Sequence, residues 1–115
     1  MLPLKNRITK SSDFSQVLNS GKKNYQKSLV VYFKPTSQPS RLGLIISGKV
    51  GNAVKRHLLA RRTREIFKKF LTENPTGFDL VVKFSTKFTD PTFQEMEAQF
   101  SFATKSLKER NIVEN

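Results

Sequence analysis

The sequence predicts an α+β or mixed α/β chain in which three helices pack against a small β-sheet, and three observations lead there. Three short runs rich in β-branched and aromatic residues, Leu29 to Phe33, Leu42 to Ser47 and Phe78 to Phe84, have the composition of buried strands. Three other stretches repeat apolar residues at helical spacing. No proline falls in the interior of any of these six segments.

Residues 1–10 read as a basic tail (Lys5, Arg7, Lys10), free to flex. Ser11-Ser12-Asp13 then offers capping oxygens, Phe14, Val17 and Leu18 fall at i, i+3 and i+4, and Gly21 closes a short amphipathic helix. A further short strand fits near Lys22 to Lys27. Pro35 ends the first strong strand, and Thr36 to Ser40, with Pro39, makes the turn into the second. From Asn52 to Leu71 there is no Pro or Gly, and Ala53, Leu59, Ala60, Thr63, Ile66, Phe67, Phe70 and Leu71 gather on one face of a helix of about five turns. Asn74-Pro75-Thr76-Gly77 breaks it ahead of the third strand. Asp90 as N-cap with Pro91 in the first turn opens the last helix, in which Phe93, Met96, Phe100, Ala103 and Leu107 share a core-packing face and Phe102 lies off it.

At 115 residues and 37% hydrophobic content the chain supports one modest core, so residues 1–115 read as a single domain. Cysteine is absent, which removes disulfides, thiolate nucleophiles and zinc fingers. No apolar run approaches the roughly 18 residues of a membrane span, and the first residues lack the apolar stretch of about 7 to 15 residues of a signal peptide. A soluble, cytoplasmic protein without a membrane partner is expected.

Charge is the strongest compositional signal. Lys and Arg number 21 against 9 acids, a net +12 that draws polyanions, nucleic acid first among them. Residues 1–72 hold 16 of the basic residues and only Asp13 and Glu65 as acids. The densest stretch runs from Lys49 to Lys69. On a helical wheel Lys55, Arg61, Arg62, Arg64, Lys68 and Lys69 lie opposite or beside the apolar face as one continuous basic stripe, with Glu65 the only acid available for an i, i+4 pair, with Lys69. Arg56, nearer the apolar side at the helix start, is expected to reach over the edge toward a ligand or to pair locally. Val54 and Leu58 project into the basic face.

Catalytic motifs are missing. Gly43 to Lys49 matches the opening of a phosphate-binding loop, but Val50 stands where magnesium needs a Ser or Thr. His57 is the sole histidine, so a Ser-His-Asp triad would have to be built around it on an arginine-rich helix, and no second histidine exists to share a metal ion. Phe14, Tyr25 and Tyr32 lie among lysines near the first helix and strand, as in proteins that stack single-stranded bases while gripping the backbone. Filling the core is the other role open to Phe14 and Tyr32. The residues by themselves also admit a ribosomal or rRNA-binding protein, a DNA-binding module with the basic helix in a major groove, and a nuclease.

Asn6-Arg7-Ile8, Asp13-Phe14, Val30-Val31-Tyr32, Arg41-Leu42-Gly43 with Ser47, the run Lys49 to Arg56, and Arg61, Arg64 and Phe67 together resemble the protein subunit of bacterial ribonuclease P across nearly the whole chain. The resemblance implies a ribosomal protein S5 domain 2-like fold, a central sheet with three helices and a left-handed βαβ crossover. It implies that an RNA subunit with magnesium does the catalysis, the metal held mainly by RNA and substrate. The protein alone would be inactive, would carry no catalytic or metal-ligating residue and would need no protein partner. Ribonuclease P RNA would be met by Lys49, Asn52, Lys55, Arg56, His57, Arg61, Arg62, Arg64 and Lys68. The single-stranded 5′ leader of precursor tRNA would lie against Arg7, Phe14, Tyr32 and Lys34. Arg56-His57-Leu58-Leu59-Ala60-Arg61 keeps only the first and last arginines of the family's Arg-Asn-Arg-x-Lys-Arg pattern, with Arg62 as an extra charge, and Gly48 replaces a common lysine.

Overall fold

The computed structural model describes residues 2–84 and 90–114, the side chains of 112–114 excepted. In chain order it holds α1 (Ser11–Ser20), β1 (Lys22–Tyr25), β2 (Val30–Pro39), β3 (Arg41–Ile46), α2 (Ala53–Glu73), β4 (Thr76–Phe84) and α3 (Phe93–Glu114), with single 3₁₀ turns at Leu4–Asn6 and Gly48–Val50. The strands form one mixed sheet in the order β1-β2-β4-β3. β2 runs antiparallel to both β1 and β4, while β3 is parallel to β4, so β3–α2–β4 is a crossover unit. This is the α+β architecture the sequence predicts.

Strand alternation divides the side chains between the two faces of the sheet. Val31 and Phe33 of β2, Leu42 and Leu44 of β3, and Leu80, Val82 and Phe84 of β4 meet Leu59, Ile66, Phe67 and Phe70 of α2 and Met96, Phe100, Ala103 and Leu107 of α3 in the main core. The alternate residues, Tyr32, Ile45 and Val81, face α1 and join Phe14, Val17, Leu18 and Ile8 in a second, smaller cluster.

Residues 2–10 do not form a loose tail. Leu2 and Ile8 are buried, Arg7 pairs in parallel with Leu42, and the Ile8 N–H donates to the Leu42 carbonyl at 3.0 Å, so the segment covers the outer edge of β3. Asn6, also buried, donates from Nδ2 to the Ser40 carbonyl at 2.8 Å.

The boundaries differ from the sequence reading for local reasons. β2 continues through Pro35 to Pro39, because β1 pairs only with Val30 to Phe33 and leaves the rest of that edge free, where a missing N–H costs no ladder bond. The register with β4 also shifts between Pro35 and Pro39, and Ser40 alone connects β2 to β3. Lys10, with no side-chain bond, occupies the N-cap of α1 in place of the Ser11-Ser12-Asp13 oxygens. At the other end Gly21 lets α1 press on β2: a Cβ there would sit 2.8 Å from the Phe33 carbonyl oxygen. Thr92, not Asp90, caps α3 in a reciprocal box, its Oγ1 accepting from the Glu95 N–H at 3.1 Å while Glu95 Oε1 accepts from the Thr92 N–H at 2.9 Å. Ala53 is exposed, since the first turn of α2 overhangs the end of the sheet.

Candidate RNA interface

α2 begins where Asn52 Oδ1 accepts the Lys55 N–H at 2.9 Å, an N-cap that starts 21 helical residues without a glycine or proline. Leu59, Ala60, Thr63, Ile66, Phe67 and Phe70 are buried, which fixes the rotation of the helix and so the direction of every cation on it. The expected continuous stripe is divided into two flanks. At 3.6 residues per turn Lys55, Arg62 and Lys69 fall within about 40° of one another, and they face α3 and its approach. There Lys55 Nζ meets Asp90 Oδ1 at 2.6 Å, Lys69 Nζ meets Glu97 Oε2 at 2.6 Å, and Arg62 Nη1 donates to the Pro91 carbonyl at 3.3 Å. Glu65 pairs with Lys68 at 3.0 Å instead of with Lys69, and that ammonium holds the Glu65 carboxyl below its ordinary range.

His57, Arg61 and Arg64 share the opposite flank. α3 lies over β1 and β2 while α2 lies over β3, so this flank overhangs the β3 edge. Among the described residues none of these three side chains makes a hydrogen bond or ion pair. Arg56 lies under the first turn with its Nε buried and lacking an acceptor among the described residues. Its Nη1 is 3.9 Å from where a Gly48 side chain would begin, so Gly48 leaves the guanidinium room. Lys49 is exposed on the adjoining turn. Val54 is 78% exposed and Leu58 half-buried, so only Val54 projects freely.

Arg7 belongs to this edge and not to the aromatic group. Its pairing with Leu42, together with Ile8 in the α1-side cluster, directs its side chain to the α2 face of the sheet, and its Nε too is buried without an acceptor among the described residues. The structure thus puts Arg7 beside Leu42 at the start of β3 and Arg56 beside Gly48 beyond its end, with His57, Arg61 and Arg64 on the outer flank of α2, and sets Lys55 and Arg62 apart from them.

The second surface is the seam between α1 and the sheet, where the resemblance implies a cleft for the leader. Phe14, Leu18, Tyr32 and Ile45 line it, each partly buried over the Ile8, Val17 and Val81 floor. Lys34 stands two residues beyond Tyr32 on the same face and donates to Gln16 Oε1 of α1 at 3.4 Å. Arg41 fixes the helix. Its Nε and Nη2 donate to the two Asp79 oxygens at 3.0 and 2.9 Å, and its Nη1 donates to Asp13 Oδ2 at 3.2 Å. The Asp79 bonds, more than Asp13, raise the Arg41 pKa above its ordinary value despite partial burial. Sequence reasoning passed over this latch, although a lone Asp at the α1-facing register of a hydrophobic strand is a signal that a cation must cover it.

Two carboxylates therefore meet around a guanidinium, an arrangement unsuited to holding a metal ion. Among the described residues no three His, Asp or Glu side chains converge as a metal site.

The ribonuclease P family model matches residues 2–108. The ribonuclease P protein component of Pseudarthrobacter chlorophenolicus is 35% identical over 112 residues, 96% of this chain and 82% of that one. That of Kocuria rhizophila is 40% identical over 84 residues, covering 72% and 74%. Among solved structures, the ribonuclease P protein of Staphylococcus aureus superposes with a TM-score of 0.77 at 28% identity, covering 87% of this chain and 93% of the other. That of Thermotoga maritima gives 0.72 at 30% identity, covering 90% and 96%. Arginines unpaired among the described residues on one face of the sheet and partly buried aromatics on the other stand on a fold and sequence that match along nearly the full length, and the chain belongs to the ribonuclease P protein-component family.

Proposed function

We propose that this subunit docks on the catalytic RNA through the outer flank of α2 and the adjoining β3 edge, and holds the 5′ leader of precursor tRNA in the α1–sheet cleft. In that reading the RNA cleaves, with magnesium held by RNA and substrate, and the protein screens phosphate charge and orients the leader. The observation that carries it is the division of α2: Arg56, His57, Arg61 and Arg64 have no protein partner among the described residues, whereas Lys55, Arg62 and Lys69 are turned to α3 and its approach. Guanidinium groups without an acceptor among the described residues, with a buried Nε at Arg7 and Arg56, are ready for phosphate oxygens. Phe14 and Tyr32 offer ring surface to bases beside Lys34.

The test is the salt dependence of binding to purified ribonuclease P RNA. Arg61→Ala and Arg64→Ala should each lower the log–log slope by roughly 0.7 to 0.9. Arg7→Ala should do the same with no special effect on leader-bearing substrate. Lys69→Ala should leave the slope alone. Unchanged slopes for Arg61 and Arg64 with a lowered one for Lys69 would overturn the docking face. Precursor tRNA incubated with protein alone, RNA alone and both tests the division of labour, and cleavage by protein alone defeats it.

A further inference from the structure

Tyr25 is 66% exposed, so most of its ring surface is open to a ligand. The β1–β2 register sets Lys23 opposite Tyr32 and Tyr25 opposite Val30, so Tyr25 and Tyr32 are diagonal neighbours on the same face of the sheet. α1 is anchored at the other end of that face, over Lys34, Asp79 and Arg41. Beyond Tyr32 the next row across the sheet is Tyr25, Val30, Lys83 and Ile45, with Tyr25 exposed and Lys83 and Ile45 half-buried. Lys23 stands with its ammonium 5.5 Å from the Tyr25 ring centroid. Bonding to Tyr25 also raises the Lys23 pKa, so the ammonium stays charged beside the ring.

We propose that Tyr25, flanked by Lys23 and Lys83, is a second base-stacking position that takes the leader nucleotide adjoining the one at Tyr32; this rests on the leader occupying the cleft. Diagonal partners across a strand pair lie about 7–8 Å apart. That is about twice the roughly 3.4 Å rise per nucleotide of a stacked strand, the separation successive bases take when they are splayed onto a protein surface. The two lysines supply phosphate contacts on either side of the ring. A neutral apolar ligand would have no use for them, and a duplex could not present its base faces to a tyrosine.

Precursor tRNAs with leaders shortened one nucleotide at a time, bound to the reconstituted holoenzyme, decide the matter. Tyr25→Ala should weaken binding about 5- to 150-fold once the leader is long enough to reach β1, and leave shorter leaders unaffected. Tyr32→Ala should weaken binding at shorter lengths as well, and Tyr25→Phe should retain most of the affinity because the ring remains. Melting curves check that the variants are folded. Parent-like affinity of Tyr25→Ala at every length, alongside a length-dependent loss for Tyr32→Ala, overturns this proposal and spares the cleft reading. Loss of affinity for leaderless tRNA on Tyr25→Ala would put the residue on another RNA surface and also overturn it. If neither variant distinguishes leader-bearing from leaderless tRNA, the cleft reading itself fails.

Discussion

Replacing Gly43 by alanine probes how α1 is seated and therefore how the cleft is shaped. Gly43 lies in β3 with its Cα facing α1, and the Phe14 ring rests on it. A Cβ at position 43 would stand 2.6 Å from Phe14 Cε1, 2.9 Å from Cζ and 3.2 Å from Ile8 Cβ. Carbon atoms pack at about 3.5–4.0 Å, so the ring must retreat by about 1 Å. Ile8 and Val17, buried around it, leave little room for that. Overpacking of this kind costs about 1–3 kcal/mol, or about 4–12 °C of melting temperature in a chain of this size. Phe14→Ala removes the obstacle. On that background Gly43→Ala should be neutral or stabilising by up to about 1 kcal/mol, because glycine inside a strand is itself unfavourable. Urea and thermal unfolding of the parent, both single variants and the double variant give the coupling energy, expected at about 1–3 kcal/mol. Leader affinity of Gly43→Ala should fall with stability, since the displaced ring is a proposed stacking surface. If Gly43→Ala melts within a degree of its parent in both backgrounds, Phe14 does not sit on Gly43 and the cleft geometry is wrong.

Three further outcomes are expected. Arg41→Met strands Asp79, a residue only 7% exposed, and should cost about 2–3 kcal/mol in urea unfolding; the roughly 3–5 kcal/mol of a fully buried pair is an upper bound, because the Arg41 side chain keeps 26% of its surface in water. A loss below about 0.5 kcal/mol would contradict the latch. Thr92→Ala should cost about 1 kcal/mol by uncapping α3. The Thr92 N–H and hydroxyl also hold the Glu95 carboxyl below its ordinary range, so its stabilisation is present above the unfolded carboxylate value near about pH 4.3 and is lost as pH falls through the lower folded value. The melting advantage of the parent over Glu95→Gln should therefore shrink between pH 7 and pH 3, and a constant gap would show that the carboxylate charge plays no part.

Much of the fold was legible because its signals are local. The α2 apolar face, the Asn52 start and the three strong strands follow from spacing and composition, and β1 from a short run between a glycine and the next strand. What was not legible depends on partners distant in sequence. Pro35 reads as a strand end until it is known that β1 stops short of it. The first ten residues read as a tail because nothing local reveals that Arg7 pairs with Leu42, 35 positions on. The division of the basic stripe depends on Glu97, Asp90 and Pro91, all from the approach to α3 or α3 itself, and a wheel of α2 alone contains none of them. The resemblance sets Arg7 with Phe14 and Tyr32, but strand alternation from its pairing with Leu42 sends its side chain to the other face.

The two proposed RNA surfaces are joined through β3. Its six residues put Leu42, Leu44 and Ile46 beneath α2 and Arg41, Gly43 and Ile45 toward α1, so one short strand seats both the docking helix and the cleft. A slip of one residue would exchange these sets, placing Arg41 in the main core and Leu42 against Phe14. Three features oppose that slip: the bidentate Arg41–Asp79 pair, Gly43 as the one β3 residue able to lie under Phe14, and the parallel register with β4 from Arg41–Asp79 to Ile46–Phe84. Mutations at Arg41 or Gly43 should then disturb leader binding without touching α2, and changes at Arg61 or Arg64 should weaken RNA docking without moving the cleft. Within each surface the energies should couple, and across the sheet they should add within about 0.5 kcal/mol, because among the described residues no side chain belongs to both clusters. A double-mutant cycle between Arg64→Ala and Phe14→Ala, read as holoenzyme affinity for leader-bearing tRNA, measures this directly, and a coupling well above that limit would mean that the two faces act as one site.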